Sequence, residues 1–418
     1  MGNKEKQVRN RKAYSQLRFR QGWIALGILF LLLGGYTPAG AQTILSDRAK
    51  VSFLISAPHH EEAFTVFGHA AIRVCDENTG IDSVFNYGIF DFSSSNFLWR
   101  FALGHTDYIL GINDYKHYIT HYQMRGSDVT EQVLNLSHKE KQQLFDALLI
   151  NAQPENRTYR YNFFFDNCAT RLPAMVEKYT DGEVVYHNPP ASKTFRQMVH
   201  DCTAGHRWLT FGIDLALGSP ADRMATPHEM MFLPVYVMQA YKHASLFGTD
   251  GTEREAVSET RVFKAFETDE RGGDILDDLL TPMLCGWLFF LLIAYFTYRE
   301  WKQKKRYNGL DIVLFSIAAI AGTVLFFLSF VSVHPCIWPN WSVVWLHPFH
   351  FIGVILFSVK KAKKAAYWYH FINFAALSLL LIGWFFLPQQ MNAAFIPLIL
   401  ILWIRSGQGI YNRKRVKE

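Results

Sequence analysis

The spacing of apolar residues changes character near residue 279. Between residues 45 and 245, short runs of alternating apolar and polar residues mix with stretches of helical periodicity, which predicts an α+β domain. After residue 279, apolar segments lie at about 281–298, 310–333, 342–359, 366–387 and 391–405. We expect each to cross a bilayer, the last with the least margin, because a spanning helix needs about 20 apolar residues. The pattern therefore predicts an α-helical membrane domain of five spans at residues 279–418.

Periodicity and capping residues predict individual elements within the α+β domain, residues 45–245. Strands are expected at Val51–Ile55, Ala70–Cys75, Ser83–Tyr87 and Arg160–Phe165, and helices at Phe97–Leu103, Tyr115–Gln123, Ser137–Ala152 and Cys168–Tyr179. Ser137 followed by Glu140 is the sequence of a capping box. Residues 246–278 carry many charges and few large apolar side chains, which predicts a linker to the membrane domain.

The first 41 residues have the composition of a secretory signal peptide. Basic residues between Lys4 and Arg20 precede the apolar run 23–33, and small residues follow at Ala39 and Ala41. An uncleaved anchor is the alternative. Either interpretation predicts that the α+β domain is exported.

The loops between the apolar segments alternate in charge. Lysines and arginines follow the first, third and fifth segments, whereas the loops around 335–341 and 388–392 contain none. The positive-inside rule places the basic loops in the cytoplasm. With five spans, the C-terminus is then cytoplasmic and residues 45–275 are periplasmic, in agreement with the signal peptide. We therefore expect an inner-membrane protein.

The overall composition agrees with this division. The chain has 418 residues, of which 50% are hydrophobic and 16% are aromatic, and its net charge is +6. Much of the positive charge lies at the ends of apolar segments. It therefore indicates membrane topology rather than a nucleic-acid partner.

Cys168 is the strongest candidate for chemistry. It follows an aromatic run and Asp166-Asn167, and it opens a predicted helix. Amide groups and the helix dipole at a helix N-terminus favour the thiolate, which is the nucleophilic form of cysteine. A buried, unreactive thiol is the alternative.

His69 is the candidate base for this thiol. It begins the strand that continues through Ala70, Ile72 and Val74, whose side chains share the core-facing side. Cys75 lies about 20 Å further along an extended strand, so a Cys75–Cys168 disulfide is incompatible with a Cys168–His69 pair. A Cys75–Cys202 disulfide stays open.

Other polar residues have possible roles around this pair. Asn86, on the next strand, is preferred for orienting the imidazole, with Glu61 and Glu62 as rivals. We assign Arg171, Asn167 and Tyr87 to substrate binding, although Arg171 could equally pair with Asp166.

The sequence gives little support for a metal site. His117 and His121 are four residues apart and would share a helix face, but no third ligand accompanies them in a recognised pattern. We therefore expect no metal.

Longer motifs carry a family resemblance. Gly68–Ile72 and Asp166–Cys168 resemble the permuted papain-like thiol enzymes, which include NlpC-type peptidases and the lecithin–retinol acyltransferase group; in these a strand-borne His precedes a helix-borne Cys. The segments 85–92, 135–137, 161–171, 212–215 and 229–234 are similar to the Lnb N-terminal periplasmic domain, a family associated with lipoprotein N-acylation.

The resemblance implies an acyltransferase. An acyl chain would move from a phospholipid through a Cys168 thioester to the α-amino group of a diacylglyceryl-cysteine lipoprotein, with His69 as base. No cofactor is then expected, because the acyl group arrives activated as an ester. Two alternatives are a membrane-anchored cysteine peptidase or amidase acting on cell-wall peptides, and a non-enzymatic envelope assembly factor.

Overall fold

The central feature of the exported part is a seven-stranded antiparallel sheet. The computed structural model describes residues 43–59, 65–90, 96–266 and 279–415. The strands are β1 (Lys50–Ser56), β2 (His69–Asp76), β3 (Ile81–Phe90), β4 (Asp107–Asp114), β5 (Val129–Leu134), β6 (Thr158–Arg160), β7 (Gly182–Tyr186), β8 (Ala244–Gly248), β9 (Glu253–Glu255) and β10 (Val257–Phe263). The large sheet has the order β10-β5-β1-β2-β3-β4-β6, and β7-β8-β9 form a second sheet.

Eight helices accompany these sheets in the described part of the chain before residue 267. They are α1 (Phe97–Leu103), α2 (Tyr115–Met124), α3 (His138–Asn151), α4 (Cys168–Tyr179), α5 (Phe195–Thr203), α6 (Arg207–Ala216), α7 (Pro227–Met230) and α8 (Pro234–Lys242). The four helices expected from the sequence are confirmed within one residue of their bounds. The predicted capping box at Ser137 and Glu140 is present.

Helices cover both faces of the large sheet, so β2 has buried side chains on both of its faces. Leu54 and Ala71 pack with Tyr118 and Ile119 of α2 on one face. On the other face, α4 contacts β2 and β3. Ala169, Leu172 and Val176 are the buried residues of α4, at the spacing of one helix face. The sheet therefore holds α4 against β2.

Two sequence interpretations of this domain are wrong. Residues 246–263, expected to be linker, belong to β8, β9 and β10, and β10 is an edge strand paired with β5. An edge strand is held by backbone hydrogen bonds and tolerates charged side chains, so a charged composition does not distinguish it from a linker. The expected strand Arg160–Phe165 ends at Arg160. The Asn162 side chain accepts hydrogen bonds from the amides of Phe164 and Phe165 and stabilises a turn.

The signal peptide interpretation of residues 1–41 lies outside the described residues.

Five helices form the membrane domain in the described residues: α9 (Pro282–Gln303), α10 (Asn308–Phe330), α11 (His350–Ser358), α12 (Lys363–Gly383) and α13 (Phe395–Arg415). Three segments are long and apolar enough to cross a bilayer, namely Pro282–Gln303, Asn308–Phe330 and Lys360–Phe386. Five spans are therefore not confirmed.

The two remaining segments differ from the expected spans. The nine residues of α11 extend about 14 Å, less than half of a hydrocarbon core of about 30 Å. This helix begins only after Pro348, which cannot continue a helix from the preceding turn. Helix α13 has 21 residues but contains the fully buried Arg405, which is paired with Glu300 and Asp311.

The loops that precede α9, follow α10 and precede α13 all contact the α+β domain. The indole of Trp208 donates to the carbonyl of Leu280. Asn340 donates through Nδ2 to the carbonyls of Leu215 and Ala216, each at 3.0 Å, and Gln389 donates to that of Leu217 at 3.0 Å. These contacts tie one end of the membrane helices to the α+β domain, and the basic loops lie at the other end.

Arg196 is the centre of this junction. Its guanidinium is fully buried and pairs with Asp214 at 2.8 Å and with Asp222 at 2.8 Å. Asp214 also accepts from Asn392 of the membrane domain at 2.9 Å. Burial is the largest single effect on the pKa of Asp214 and raises it. The hydrogen bonds and charges of His200 and Arg196 together outweigh burial, so the pKa is lowered. Asp214 therefore links the two domains as a carboxylate.

The first prediction concerns this buried network. Arg196→Gln should destabilise the protein by about 3–5 kcal/mol, because the buried Asp214 and the partly buried Asp222 lose their guanidinium partner. The matched control is Lys193→Gln, whose ion pair with Asp201 is exposed and should change stability by less than about 1 kcal/mol. Thermal unfolding of the purified full-length variants measures both. Equal midpoints for the two variants would contradict the role of Arg196.

Candidate active site

The elements of the sheet domain bring Cys168 and His69 together. His69 is the first residue of β2, a central strand, and the preceding Gly68 has a φ of 71°, which favours glycine. A side chain at Gly68 would also meet the carbonyl oxygen of Ser56 at 2.6 Å. Cys168 is the first residue of α4, which packs on β2. The thiol of Cys168 and the ring of His69 form a hydrogen bond.

Asn86 fixes the orientation of His69. The Nε2 atom of His69 lies 2.8 Å from Oδ1 of Asn86, which also accepts the amide hydrogen of Gly88 at 2.8 Å. Because that oxygen accepts from Gly88, it acts as an acceptor toward the ring, and Nε2 carries the hydrogen. The Nδ1 atom is then the nitrogen that can take a proton from the thiol. This is the arrangement of a cysteine, its base and an orienting group.

The electrostatics of the pair favour charge separation. Burial, the largest effect, raises the pKa of Cys168, but the charge and hydrogen bond of His69 and the amides of Ala70 and Ala169 outweigh it. The pKa of Cys168 is therefore lowered. Burial likewise opposes protonation of His69, but Cys168 and Asn86 raise its pKa above the ordinary value. The two shifts agree and favour a thiolate beside an imidazolium.

The surroundings of His69 restrict the position of its ring. A Cβ atom at Gly88 would lie 2.2 Å from its Cε1 atom, so only glycine leaves space for the imidazole. Tyr122 stacks on the ring at 6.2 Å between centroids. His69 and Asn86 also line a cavity of about 180 Å³, together with Tyr122 and Arg125.

Asn167 has a role different from the expected one. Its Oδ1 accepts the amide hydrogens of Ala169 and Thr170, and its Nδ2 donates to the carbonyls of Phe163 and Phe232. The side chain caps α4 and is almost completely buried, so the predicted substrate contact is not supported.

The backbone amide of Cys168 is the first in the helix and has no acceptor among the described residues.

Arg171 and Tyr87 are also engaged within the protein. Arg171 forms a two-pronged ion pair with Asp166, at 2.6 and 2.8 Å, and its guanidinium lies 3.6 Å from the ring centre of Tyr159. This favours the Arg171–Asp166 ion pair, which the sequence analysis left open as the alternative to substrate binding. Tyr87 is buried and its hydroxyl accepts from Asn151, so its predicted substrate contact is not supported either.

Several other candidates have simpler outcomes. Glu61 and Glu62 lie outside the described residues. Cys75 and Cys202 are both free, so the disulfide that was left open is not formed. His117 and His121 gain no third ligand, since the described residues contain no group of three potential metal ligands.

A second cavity of about 180 Å³ lies between the sheet domain and the loop after α10. Tyr108 and Tyr161 line it from the sheet domain, and Val333 and His334 line it from the loop. These tyrosine rings stack at 4.0 Å, and both interact electrostatically with Cys168. The sequence did not identify Tyr108, because it lies outside the motifs and its role depends on the pairing of β4 with β6.

The loop is held against helix α1 beside this cavity. The amide of Val333 donates to the carbonyl of Leu103, and Nε2 of His334 lies 2.8 Å from the carbonyl oxygen of Phe101. Trp99 and Phe101 remain exposed, and the Trp99 ring lies 5.4 Å from Phe327 near the end of α10. The exposed aromatic surface of Trp99 and Phe101 therefore lies near the end of α10.

The fold and site together define a membrane protein whose exported domain carries a Cys-His-Asn site. Comparison with family models gives its family. Residues 38–200 match the Lnb N-terminal periplasmic domain and residues 274–417 match the Lnb transmembrane domain. The chain belongs to the Lnb family, and residues 38–200 are its periplasmic domain. Membership suggests a membrane-anchored, lipoprotein-modifying enzyme.

The other two comparisons give no relative. No curated protein matches the chain, and no solved structure matches it. Kinship with the papain-like fold therefore stays a prediction.

The second prediction concerns thiol reactivity. Cys168 should react with iodoacetamide at mildly acidic pH, below the ordinary cysteine pKa of about 8.5. Cys202 should not, because burial raises its pKa to about 11. In His69→Ala, the pKa of Cys168 should rise, because burial is then opposed only by the two amides. Labelling at that pH should fall at least about tenfold, the effect of one pKa unit. Peptide mass spectrometry of the full-length protein measures both sites.

The rate of labelling at high pH is the control for the access of iodoacetamide to Cys168. Above the raised pKa, Cys168 of His69→Ala should label at a rate close to that of the wild type. A Cys168 that labels no faster than Cys202 at any pH would contradict the ion pair.

The third prediction concerns Gly88. Gly88→Ala should reduce labelling of Cys168 at mildly acidic pH by at least about tenfold, because the new methyl group displaces the imidazole from the thiol. Gly205→Ala is the matched control, since a Cβ there meets no atom within 4 Å. Both variants should accumulate in membranes. Unchanged labelling in Gly88→Ala would show that the His69 position is not restricted in this way.

Proposed function

We propose that this protein is a lipoprotein N-acyltransferase that uses Cys168 as its nucleophile. The observation that carries the proposal is the hydrogen-bonded series Cys168–His69–Asn86. Tyr108 and Tyr161, which interact electrostatically with Cys168, line a cavity that the membrane domain helps to form. The donor is a phospholipid, and the acceptor is the α-amino group of a diacylated lipoprotein. Residues 45–266 lie on the periplasmic side of the inner membrane, and the C-terminus is cytoplasmic.

In the first half-reaction, the thiol proton of Cys168 moves to Nδ1 of His69. The sulfur attacks the ester carbonyl carbon of the phospholipid, and the amide of Cys168 donates to the developing oxyanion. The C–O bond then breaks, and His69 returns the proton to the departing lysophospholipid hydroxyl. A thioester on Cys168 remains.

In the second half-reaction, the lipoprotein amine attacks the thioester carbonyl. His69 takes a proton from the amine, the C–S bond breaks and an amide forms. The thiolate regains its proton from His69. Because the lysophospholipid leaves before the lipoprotein amine attacks the thioester, the scheme predicts ping-pong kinetics.

The position of the second cavity supports a lipid donor over a cell-wall peptide. Its lining comes from both domains, and the exposed Trp99 and Phe101 lie beside it at the membrane end. At about 180 Å³ it is smaller than typical ligand pockets, so most of an acyl chain would remain outside it. The exposed aromatic surface and the adjacent bilayer can accommodate that remainder.

The fourth prediction tests the transfer itself. A reporter lipoprotein is expressed in cells that lack other N-acyltransferases, and its N-terminal lipopeptide is analysed by mass spectrometry. Wild-type protein should give a third acyl chain on the lipopeptide. Cys168→Ala should give only the diacyl form, because no thioester can form. Cys202→Ala, a second buried cysteine outside the site, should behave as wild type.

Two outcomes would overturn the proposal. Triacyl lipopeptide with Cys168→Ala would remove the thioester mechanism. Diacyl lipopeptide with wild-type protein that is present in the membrane would remove the transfer reaction, and release of cell-wall peptide fragments would then test the peptidase alternative.

A further inference from the structure

A cavity lined by membrane-domain residues lies at the end of the helices remote from the sheet domain. Its volume is about 710 Å³. It is bordered by the loop between α9 and α10, the loop between α11 and α12, and the last turns of α13. Five cationic side chains line it: Lys304, Lys305, Arg306, Lys360 and Lys363. No carboxylate is among its lining residues.

Among the described residues, the five cations have no close carboxylate partner, although Arg306 interacts electrostatically with Asp311 at longer range. Within the part of the chain that the structure describes, none of the five forms an ion pair with a carboxylate within 4 Å. The carboxylates closest in sequence, Glu300 and Asp311, are paired with Arg405. The cavity therefore concentrates positive charge that an anion can stabilise.

Two helices begin at this cavity. Asn308 and Lys363 are the first residues of α10 and α12, and both line it. Neither helix has a side-chain cap at its start. The positive ends of two helix dipoles therefore add to the charge of the five cations, and helix N-termini of this kind favour phosphate oxygens.

The remaining wall of the cavity is apolar. Ile312, Leu356, Phe357, Val359 and Ala366 line it from α10, the end of α11 and the start of α12. A free inorganic anion would gain nothing from contact with this apolar wall. A molecule with an anionic head and an acyl chain contacts both parts.

A buried network holds one side of this cavity in place. Asn412 lines it and donates through Nδ2 to Glu300 at 2.7 Å. Glu300 pairs with Arg405 at 2.8 Å, and Arg405 pairs with Asp311 of α10 at 2.7 Å. The network joins α9, α10 and α13, so the cavity has a wall fixed by buried ion pairs.

We infer that this cavity binds a phosphate-bearing ligand, the headgroup of an anionic phospholipid of the inner leaflet. The cations and the two helix starts bind the phosphate, and the apolar wall contacts the first part of an acyl chain. The inference is independent of the acyl-transfer proposal, because the cavity lies at the opposite end of the membrane helices from Cys168.

Membrane topology alone also places lysines in these loops. The positions of individual lysines distinguish a lipid-binding site from the charge pattern that membrane topology alone produces. Lys302, in the last turn of α9, and Lys361, in the loop before α12, are exposed, as the five cavity cations are, but they do not line the cavity. A site inside the cavity requires Lys305 and Lys360, whereas general attraction to an anionic surface uses all four equally.

The test compares Lys305→Gln/Lys360→Gln with Lys302→Gln/Lys361→Gln, two variants of equal net charge. Binding of short-chain phosphatidylglycerol to the detergent-solubilised full-length protein is measured by native mass spectrometry, with inorganic phosphate as a second probe. The first variant should bind the lipid at least about tenfold more weakly than wild type, and the second within about twofold. Inorganic phosphate should bind far more weakly than the lipid.

Three outcomes would overturn the inference. Equal loss in both variants would indicate surface attraction, and no loss in either would remove the site. Phosphate binding as tight as that of the lipid would remove the lipid assignment. Labelling of Cys168 should be unchanged in both variants, which confirms that each is folded and separates this result from the fate of the acyl-transfer proposal.

Discussion

The hydrogen bond between Cys168 and His69 imposes the strictest requirement on the structure. Burial alone would leave the thiol protonated and the imidazole neutral, and their mutual stabilisation, aided by the amides of Ala70 and Ala169 and by Asn86, reverses both tendencies. That stabilisation requires the ring to be at one position and in one tautomer. Gly68, Asn86 and Gly88 meet this requirement by allowing the strand to start, by orienting the ring and by leaving space for it. Much of the local sequence therefore serves one proton transfer.

The junction between the two domains is the second constraint. Buried Arg196 holds Asp214 and Asp222, and amide side chains from the membrane loops bond to Asp214 and to the carbonyls of residues 215–217. Amide groups at such a junction satisfy backbone carbonyls without adding charge near the membrane. The cavity lined by Tyr108 and His334 forms where the loop after α10 lies against the sheet domain, held there also by the contacts of Val333 and His334 with α1.

Local signals predicted individual helices and strands better than the pairing of those elements in the tertiary structure. The capping pattern and helix period located α3 and α4, and alternation located β2, because these signals depend on neighbouring residues. Edge strand β10 was missed because backbone pairing with β5 sets it rather than composition. The third expected span is not confirmed, because its helix begins only at His350, after Pro348, and is too short to be among the candidate spans. Asn167 was assigned to substrate because its motif shows proximity to Cys168, whereas its four hydrogen bonds depend on the tertiary structure.

The amide contacts of Asn340, Gln389 and Asn392 have a geometrical consequence. Together with the Trp208 contact, they attach the sheet domain to the membrane helices at several separate points, and a body attached in this way cannot tilt or rise as a unit. The sulfur of Cys168 is therefore kept at one height relative to the bilayer surface. In the proposed reaction, the depth of an ester bond below the bilayer surface then decides whether Cys168 can reach it.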